Sequence, residues 1–210
     1  MLGKGTLAIH VAEWFRSSDA YVLGTVVPVT PEPTWTESLL GWARSRGVPA
    51  IESGDYRELA HDRPIDLAVS VFYDRILAPD FIARCGRILN VHNGPLPRYR
   101  GVSPINWALK NGETTHGVTI HEVTSGIDEG PVVAQLLYSI YPASDEVGDV
   151  YRRALAYGRV LFEQTMPILH RITPRPQDES EALHYRREQD AELGDRRLFT
   201  RAESSRPARS

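Results

Sequence analysis

Apolar residues in this chain fall into two kinds of run. Residues 21–27 are short and β-branched and read as a strand, residues 66–71 form a near-continuous apolar run that predicts a strand covered on both faces, and residues 87–91 read as the next strand. Residues 7–15, 37–46, 79–85, 105–110 and 147–168 carry apolar side chains at helical spacing, which predicts helices. Residues 47–51 read as a further short parallel strand after a glycine stop. Residues 116–123 alternate with period two and read as a strand. Residues 132–140 read as its neighbour, turned back by the glycine-bracketed loop 126–131. Ser144, Asp145 and Glu146 offer a cap for the last helix. The alternation of strands and helices implies an α/β fold, with a mostly parallel twisted sheet and helices on both faces.

The two ends depart from this pattern. Residues 171–210 are dominated by Arg, Asp, Glu, Pro and Ser, and read as an arm over a domain of residues 1–170, frayed from about residue 202. The arginines at 196–197 and 206–209 read as solvated. At the start, Gly3-Lys4-Gly5-Thr6 forms a glycine turn with at most two residues of strand before it. Either that strand is vestigial or the natural start lies upstream of Met1.

Composition narrows the class. Of 210 residues, 41% are hydrophobic and 24% charged, as in ordinary globular proteins, and a net charge of −3 supplies no field for nucleic acid. No apolar stretch reaches membrane-span length, and the start lacks a signal-peptide pattern. Cys85 is the single cysteine, so neither an internal disulfide nor a zinc cluster is expected. The expectation is a cytoplasmic protein without a metal.

The candidate chemistry sits where the 87–91 strand ends. Asn90 and His92 are two apart, so in a strand they share a face, and in a parallel sheet they lie at the carboxyl end where ligands gather. Asp128 follows in the loop Ser125-Gly126-Ile127-Asp128-Glu129-Gly130-Pro131. An amide donor, an imidazole and a carboxylate can together stabilise a tetrahedral oxyanion and move protons, which suits one-carbon acyl transfer to an amine.

The stretch Asn90-Val91-His92-Asn93-Gly94-Pro95-Leu96-Pro97-Arg98-Tyr99-Arg100-Gly101 resembles the signature loop of the 10-formyltetrahydrofolate-dependent formyltransferases. So do residues 116–123 together with 126–131. The resemblance covers roughly residues 2–185 and is strongest over 66–135. It implies a Rossmann-like formyltransferase fold, with residues 1–170 the catalytic domain and Asn90, His92 and Asp128 the catalytic trio. Residues 72–79 resemble the loop that holds the pterin edge. Phe72, Asp74, Arg75, Ile76 and Leu77, with Ser125, Gly126 and Ile127, are therefore the residues implied for 10-formyltetrahydrofolate, the co-substrate. Gln177-Asp178-Glu179-Ser180 resembles the segment that follows the catalytic domain in methionyl-tRNA and sugar formyltransferases.

Within the family the acceptor stays open. Methionyl-tRNA formyltransferase carries a second, basic domain after that segment, and this sequence stops soon after it. Glycinamide ribonucleotide formyltransferase has a different loop after its histidine. What is left is a small-molecule amine, best matched by an amino sugar carried on a nucleotide, with no nucleic-acid or membrane partner and room for a homodimer. Lys4, Trp35, Asn93, Gly94, Pro95, Arg98 and Arg100 are the candidates for touching it. Each has a plainer alternative: Lys4 as surface, Trp35 capping the core, Arg98 and Arg100 ordering their own loop. His116 and His121 read as structural, Trp14, Trp42 and Trp107 as packing, and Cys85 as inert. The competing functions are a formyltetrahydrofolate hydrolase, with water replacing the amine, and a non-catalytic folate-binding homologue.

Overall fold

A computed structural model describes residues 1–60 and 64–197. The elements in order are β1 (Leu2–Gly3), α1 (Gly5–Arg16), β2 (Val27–Pro28), α2 (Leu39–Arg46), β3 (Ile65–Val71), α3 (Pro79–Arg84), β4 (Cys85–His92), β5 (Arg100–Gly101), α4 (Pro104–Lys110), β6 (Thr115–Glu122), β7 (Val132–Ser139), α5 (Val147–Thr165) and β8 (His184–Tyr185). Six strands form one sheet in the order β2-β1-β3-β4-β6-β7. The first four run parallel, β6 is antiparallel to β4, and β7 is antiparallel to β6. β5 and β8 make a separate parallel pair.

Alternation along β4 divides its side chains between two environments. Leu89 and Val91 enter the larger core with α1, α2, α4 and α5. Ile88 enters a smaller cluster on the other face with Leu2, Val27, Ala68 and Phe81 of α3. That cluster stops at Ile88. Further along the same face β4 carries Asn90 and His92, so the polar pair lies beyond the apolar floor at the strand's carboxyl end.

Several boundaries differ from the sequence expectations, each for a local reason. The expected strand 21–27 shrinks to Val27–Pro28, because its partner β1 offers only two residues. The expected strand 47–51 contributes one isolated bridge, Ala50 to Val26. The first helix begins at Gly5 rather than Leu7. The last helix ends at Thr165, and residues Met166–Arg171 continue as a 3-10 turn. Pro167 has no N–H for the α-helical ladder. Glu146 caps α5 in a reciprocal box with Asp149. Asp145 instead receives the Tyr141 N–H and the Arg153 guanidinium.

The arm packs on the domain as far as residue 197. Arg196, expected to be solvated, donates to the carbonyls of Asp145 and Pro142. Arg197 is exposed. The expected frayed end and the arginines at 206–209 lie outside the described residues. Trp14, Trp42 and Trp107 take the packing roles read from sequence. Trp14 meets Phe15 and Phe162, Trp42 donates its indole N–H to Glu13, and Trp107 stacks on Tyr185.

Phe162 is buried between Trp14, at 5.5 Å, and Phe15, at 5.9 Å. Phe162→Ala should therefore lower the unfolding free energy by about 3–5 kcal/mol in urea titration. A loss below about 1 kcal/mol would show that this aromatic cluster does not anchor α1 to α5.

Candidate active site

The structure brings Asn90, His92 and Asp128 together and adds His121. β4 and β6 pair Asn90 with His121. Asn90 Nδ2 lies 3.1 Å from His121 Nε2 and 3.4 Å from Asp128 Oδ1. His92 Nδ1 is 3.5 Å from Asp128 Oδ2, and His121 Nε2 is 3.3 Å from Asp128 Oδ1. The loop after β6 thus folds back over the sheet face and lays its carboxylate across two imidazoles. His121 had read as structural; its neighbour across the sheet makes it part of the cluster.

The hydrogen bonds fix which ring nitrogens face the carboxylate. His92 Nε2 donates to the Tyr99 carbonyl at 2.6 Å, so Nδ1 is the nitrogen turned to Asp128. His121 Nδ1 donates to the Glu122 carbonyl at 2.8 Å, leaving Nε2 for Asn90 and Asp128. Asp128 is nearly buried, with 13% of its side chain exposed. Burial alone would raise its pKa. The His92 and His121 rings and the Gly101 N–H, 2.9 Å from Oδ2, outweigh burial and hold the carboxyl well below the usual carboxylate range.

Two glycines are required for this closure. Gly101 has φ of 90°, and a Cβ there would stand 2.1 Å from the Tyr185 carbonyl oxygen. A Cβ on Gly130 would stand 1.8 Å from the Glu122 carbonyl oxygen. Asp128 itself has φ of 54°, a left-handed conformation rare for a residue with a side chain.

The loop after His92 is tied to β6 and β7. Thr119 Oγ1 donates to the Gly94 carbonyl at 2.7 Å, and Gln135 Nε2 donates to the Leu96 carbonyl at 2.9 Å. His116 Nε2 donates to the Asn93 carbonyl at 2.8 Å. Asn93 Oδ1 is buried without a hydrogen-bond partner among the described residues. Gly94 is buried against His92, and Pro95 is half-buried. Arg98 pairs with Glu113 at 2.8 Å and so orders its own loop.

Arg100 corrects the expectation of an acceptor contact. Its side chain is fully buried, and its guanidinium binds both oxygens of Glu179, the Gln177 amide oxygen and His184. The arm, which the Arg-Gly dipeptide alone could not reveal, consumes its charge. Lys4 is also engaged: its ammonium is held by both Asp74 oxygens, at 2.6 and 2.8 Å.

The residues implied for the folate lie on two loops. Phe72 has φ of 57° directly after β3, Arg75 is 3.3 Å from Asp55, and Leu77 is buried. Ile76 and Ile127 are exposed, one on each loop, and Ser125 and Gly126 lie beside Ile127. Trp35, 57% exposed, meets the Tyr151 ring edge-on at 5.6 Å, and Tyr151 in turn approaches Phe72 at 6.2 Å. Trp35 and Tyr151 border an open cleft of about 520 Å³ with Thr6, Thr36, Arg152 and Leu155. A smaller cleft of about 230 Å³ runs between Thr30, Pro31, Tyr73 and Arg75. Among the described residues, no group of three His, Cys, Asp or Glu side chains is placed to hold a metal, and no helix is long and apolar enough to cross a membrane.

A formyl transferase family model matches residues 52–166, more than half the chain and the segment that carries β3, β4, β6 and the Asp128 loop. The chain belongs to the formyl transferase family. The chain is 34% identical over 165 residues to methionyl-tRNA formyltransferase of Deinococcus radiodurans, across 77% of the chain and 51% of that protein. It is 31% identical over 147 residues to methionyl-tRNA formyltransferase of Fervidobacterium nodosum, across 68% of the chain and 46% of that protein. The chain spans about half the length of these relatives. Among solved structures, the N-formyltransferase of Helicobacter canadensis, in complex with folinic acid and dTDP-3-aminofucose, superposes with a TM-score of 0.79. It is 25% identical, over 89% of this chain and 70% of that one. Glycinamide ribonucleotide transformylase 1 of Symbiobacterium toebii shares the fold with a TM-score of 0.67 and 24% identity, over 84% of this chain and 93% of that one.

His116 gives the fold a pH-dependent stability. Burial pushes its pKa from the usual 6.5 down to about 4. Between those values the unfolded ring binds a proton and the folded ring does not, so acidification favours unfolding. Stability should fall by on the order of 3 kcal/mol from this ring as pH drops from 7 to 4. His116→Gln should flatten that part of a denaturation series. An unchanged slope would mean the ring is protonated in the fold.

Proposed function

We propose that this chain transfers the formyl group of 10-formyltetrahydrofolate to a primary amine, with an amino sugar carried on a nucleotide as the acceptor. The convergence of Asn90, His92 and Asp128 on one spot, in a member of the formyl transferase family, carries the reading. The amine nitrogen attacks the formyl carbon, and the carbonyl oxygen takes the negative charge. Asn90 Nδ2 donates to that oxygen; its contact to Asp128 is long, at 3.4 Å, and yields readily to a better acceptor. As the carbon–nitrogen bond to the folate breaks, one proton leaves the amine and one arrives on the folate nitrogen. A carboxylate held as low as Asp128 is a weak proton acceptor. Its part is to stabilise positive charge, on the His92 ring and on the attacking nitrogen, while His92 carries the proton.

The exposed Ile76 and Ile127 supply apolar contact for the flat folate ring system from two sides. Phe72, Asp74, Arg75 and Leu77 shape the first of these loops, and Ser125 and Gly126 the second. Trp35 offers an aromatic face in the larger cleft for the nucleotide base of the acceptor. Asn93 Oδ1, buried without a hydrogen-bond partner among the described residues, fits an amine or hydroxyl donor on the sugar. The Helicobacter canadensis neighbour, solved with a nucleotide-linked amino sugar, supports this acceptor class. The likeness to two methionyl-tRNA formyltransferases favours a second reading, with methionyl-tRNA as acceptor.

The test is release of tetrahydrofolate with a panel of dTDP- and UDP-amino sugars, charged methionyl-tRNA and no amine at all. Turnover should depend on a nucleotide amino sugar. Dependence on methionyl-tRNA would establish the second reading, and turnover without amine would establish a hydrolase. With the working acceptor, Asn90→Ala should lower kcat by ~10²–10³, and His92→Ala and Asp128→Ala should also lower it strongly. Near-normal rates in all three would remove the trio from the mechanism.

A further inference from the structure

We propose that Gln177, oriented by Arg100, is the positioning residue that fixes Asp128 in the site. Asp128 sits in a left-handed backbone conformation, which is strained for a residue with a side chain and persists where its surroundings hold it. Gln177 supplies that imposition. Its side-chain nitrogen donates to the Asp128 carbonyl at 2.8 Å and to the Gly130 carbonyl at 2.7 Å. A primary amide has two N–H groups, so both are used on the turn that carries the carboxylate.

The amide cannot rotate away. Its oxygen accepts from Arg100 Nε at 3.0 Å, which fixes which end faces the turn. Arg100 in turn is fully buried, and its guanidinium is held by Glu179 at 2.6 Å. The arm reaches the carboxylate a second way, through the Arg100 backbone. The Arg100 N–H donates to the Leu183 carbonyl at 3.0 Å, and β5 pairs with β8. That pairing aims the Gly101 N–H at Asp128 Oδ2, 2.9 Å away. The arm therefore holds Asp128 by its backbone through Gln177 and by its oxygen through Gly101. Misplacement of a reacting group by an ångström costs about 10²-fold in rate, which sets the scale of what this clamp protects.

Gln177→Glu separates positioning from space-filling. It is nearly the same shape and still accepts from Arg100, but it has no N–H for the two carbonyls. Gln177→Ala removes both functions. The kinetic readout rests on the formyl-transfer reading; a carbon-13 titration of the Asp128 carboxyl in the full chain does not. Both variants should lower kcat about 10- to 100-fold, with KM for the formyl donor within about threefold of the parent. In the parent, the Asp128 carboxyl should stay ionised across the acid range in which the protein is folded. In the variants its midpoint should rise by about one pH unit or more toward ordinary aspartate. A Gln177→Glu protein that turns over and titrates like the parent overturns the proposal. If the parent transfers no formyl group to any acceptor, the formyl-transfer reading fails, and the titration alone decides. An unmoved Asp128 midpoint then overturns the positioning role. Should Gln177→Ala fail to fold, the near-isosteric Gln177→Glu carries the test by itself.

Discussion

A carboxylate nearly closed off from water organises this molecule's polar face. Asp128 would be costly as a lone buried anion. It is tolerated because two imidazoles and a backbone N–H surround it. Each partner comes from a different element: His92 from β4, His121 from β6, and Gly101 from β5. The charge therefore specifies how the β4–β6 pairing, the signature loop and the arm meet. It also keeps the site charged at neutral pH, as the proposed formyl transfer requires.

The sheet prepares the place for that charge through simple alternation. One face of β4 carries Leu89 and Val91 into the large core; the other moves from Ile88 to Asn90 and His92 as the apolar floor ends. The chain order adds a second feature. The connection from β1 leads to β2 on one side, whereas β3 leads on to β4 on the other, so the crevice between the ends of β1 and β3 is the switch point where ligands settle in such sheets. Lys4, after β1, and Asp74, after β3, bridge that crevice. The Trp35 cleft, reached through Tyr151, opens next to Phe72 on the same edge. The loops after β3 and β6 and the cleft thus share the carboxyl edge of the sheet with Asn90 and His92.

How much of this the sequence discloses depends on how local each cause is. Strand β4 follows from a short apolar run, β6 from period-two alternation, the turn back to β7 from its glycine-bracketed loop, and the shared face of Asn90 and His92 from their spacing, all within a few residues. The trio came from spacing and from a resemblance in the signature loop, both contained in short stretches. His121 escaped because its meaning lies across the sheet: alternation gives its face, but only the β4–β6 register sets it against Asn90. Arg100 looked open to substrate because its burial is made by Glu179 and Gln177, far along the chain. Arg196 looked solvated for the same reason. The short β1 and β2 were misjudged because strand length is decided by the partner, and a β-branched run cannot report that its neighbour offers two residues. Local chemistry was legible, and contacts that close over long sequence separations were not.

Asn90, His92 and Asp128 are proposed to surround one formyl group. A crystal structure of the full chain with a bound N10-formyl folate analogue that cannot give up its formyl group measures this directly. The pterin is expected between the loops that bear Ile76 and Ile127, with the formyl group at the Asn90 amide and beside the His92 and Asp128 side chains. A folate seated elsewhere, or one whose formyl group points away from all three, would contradict it.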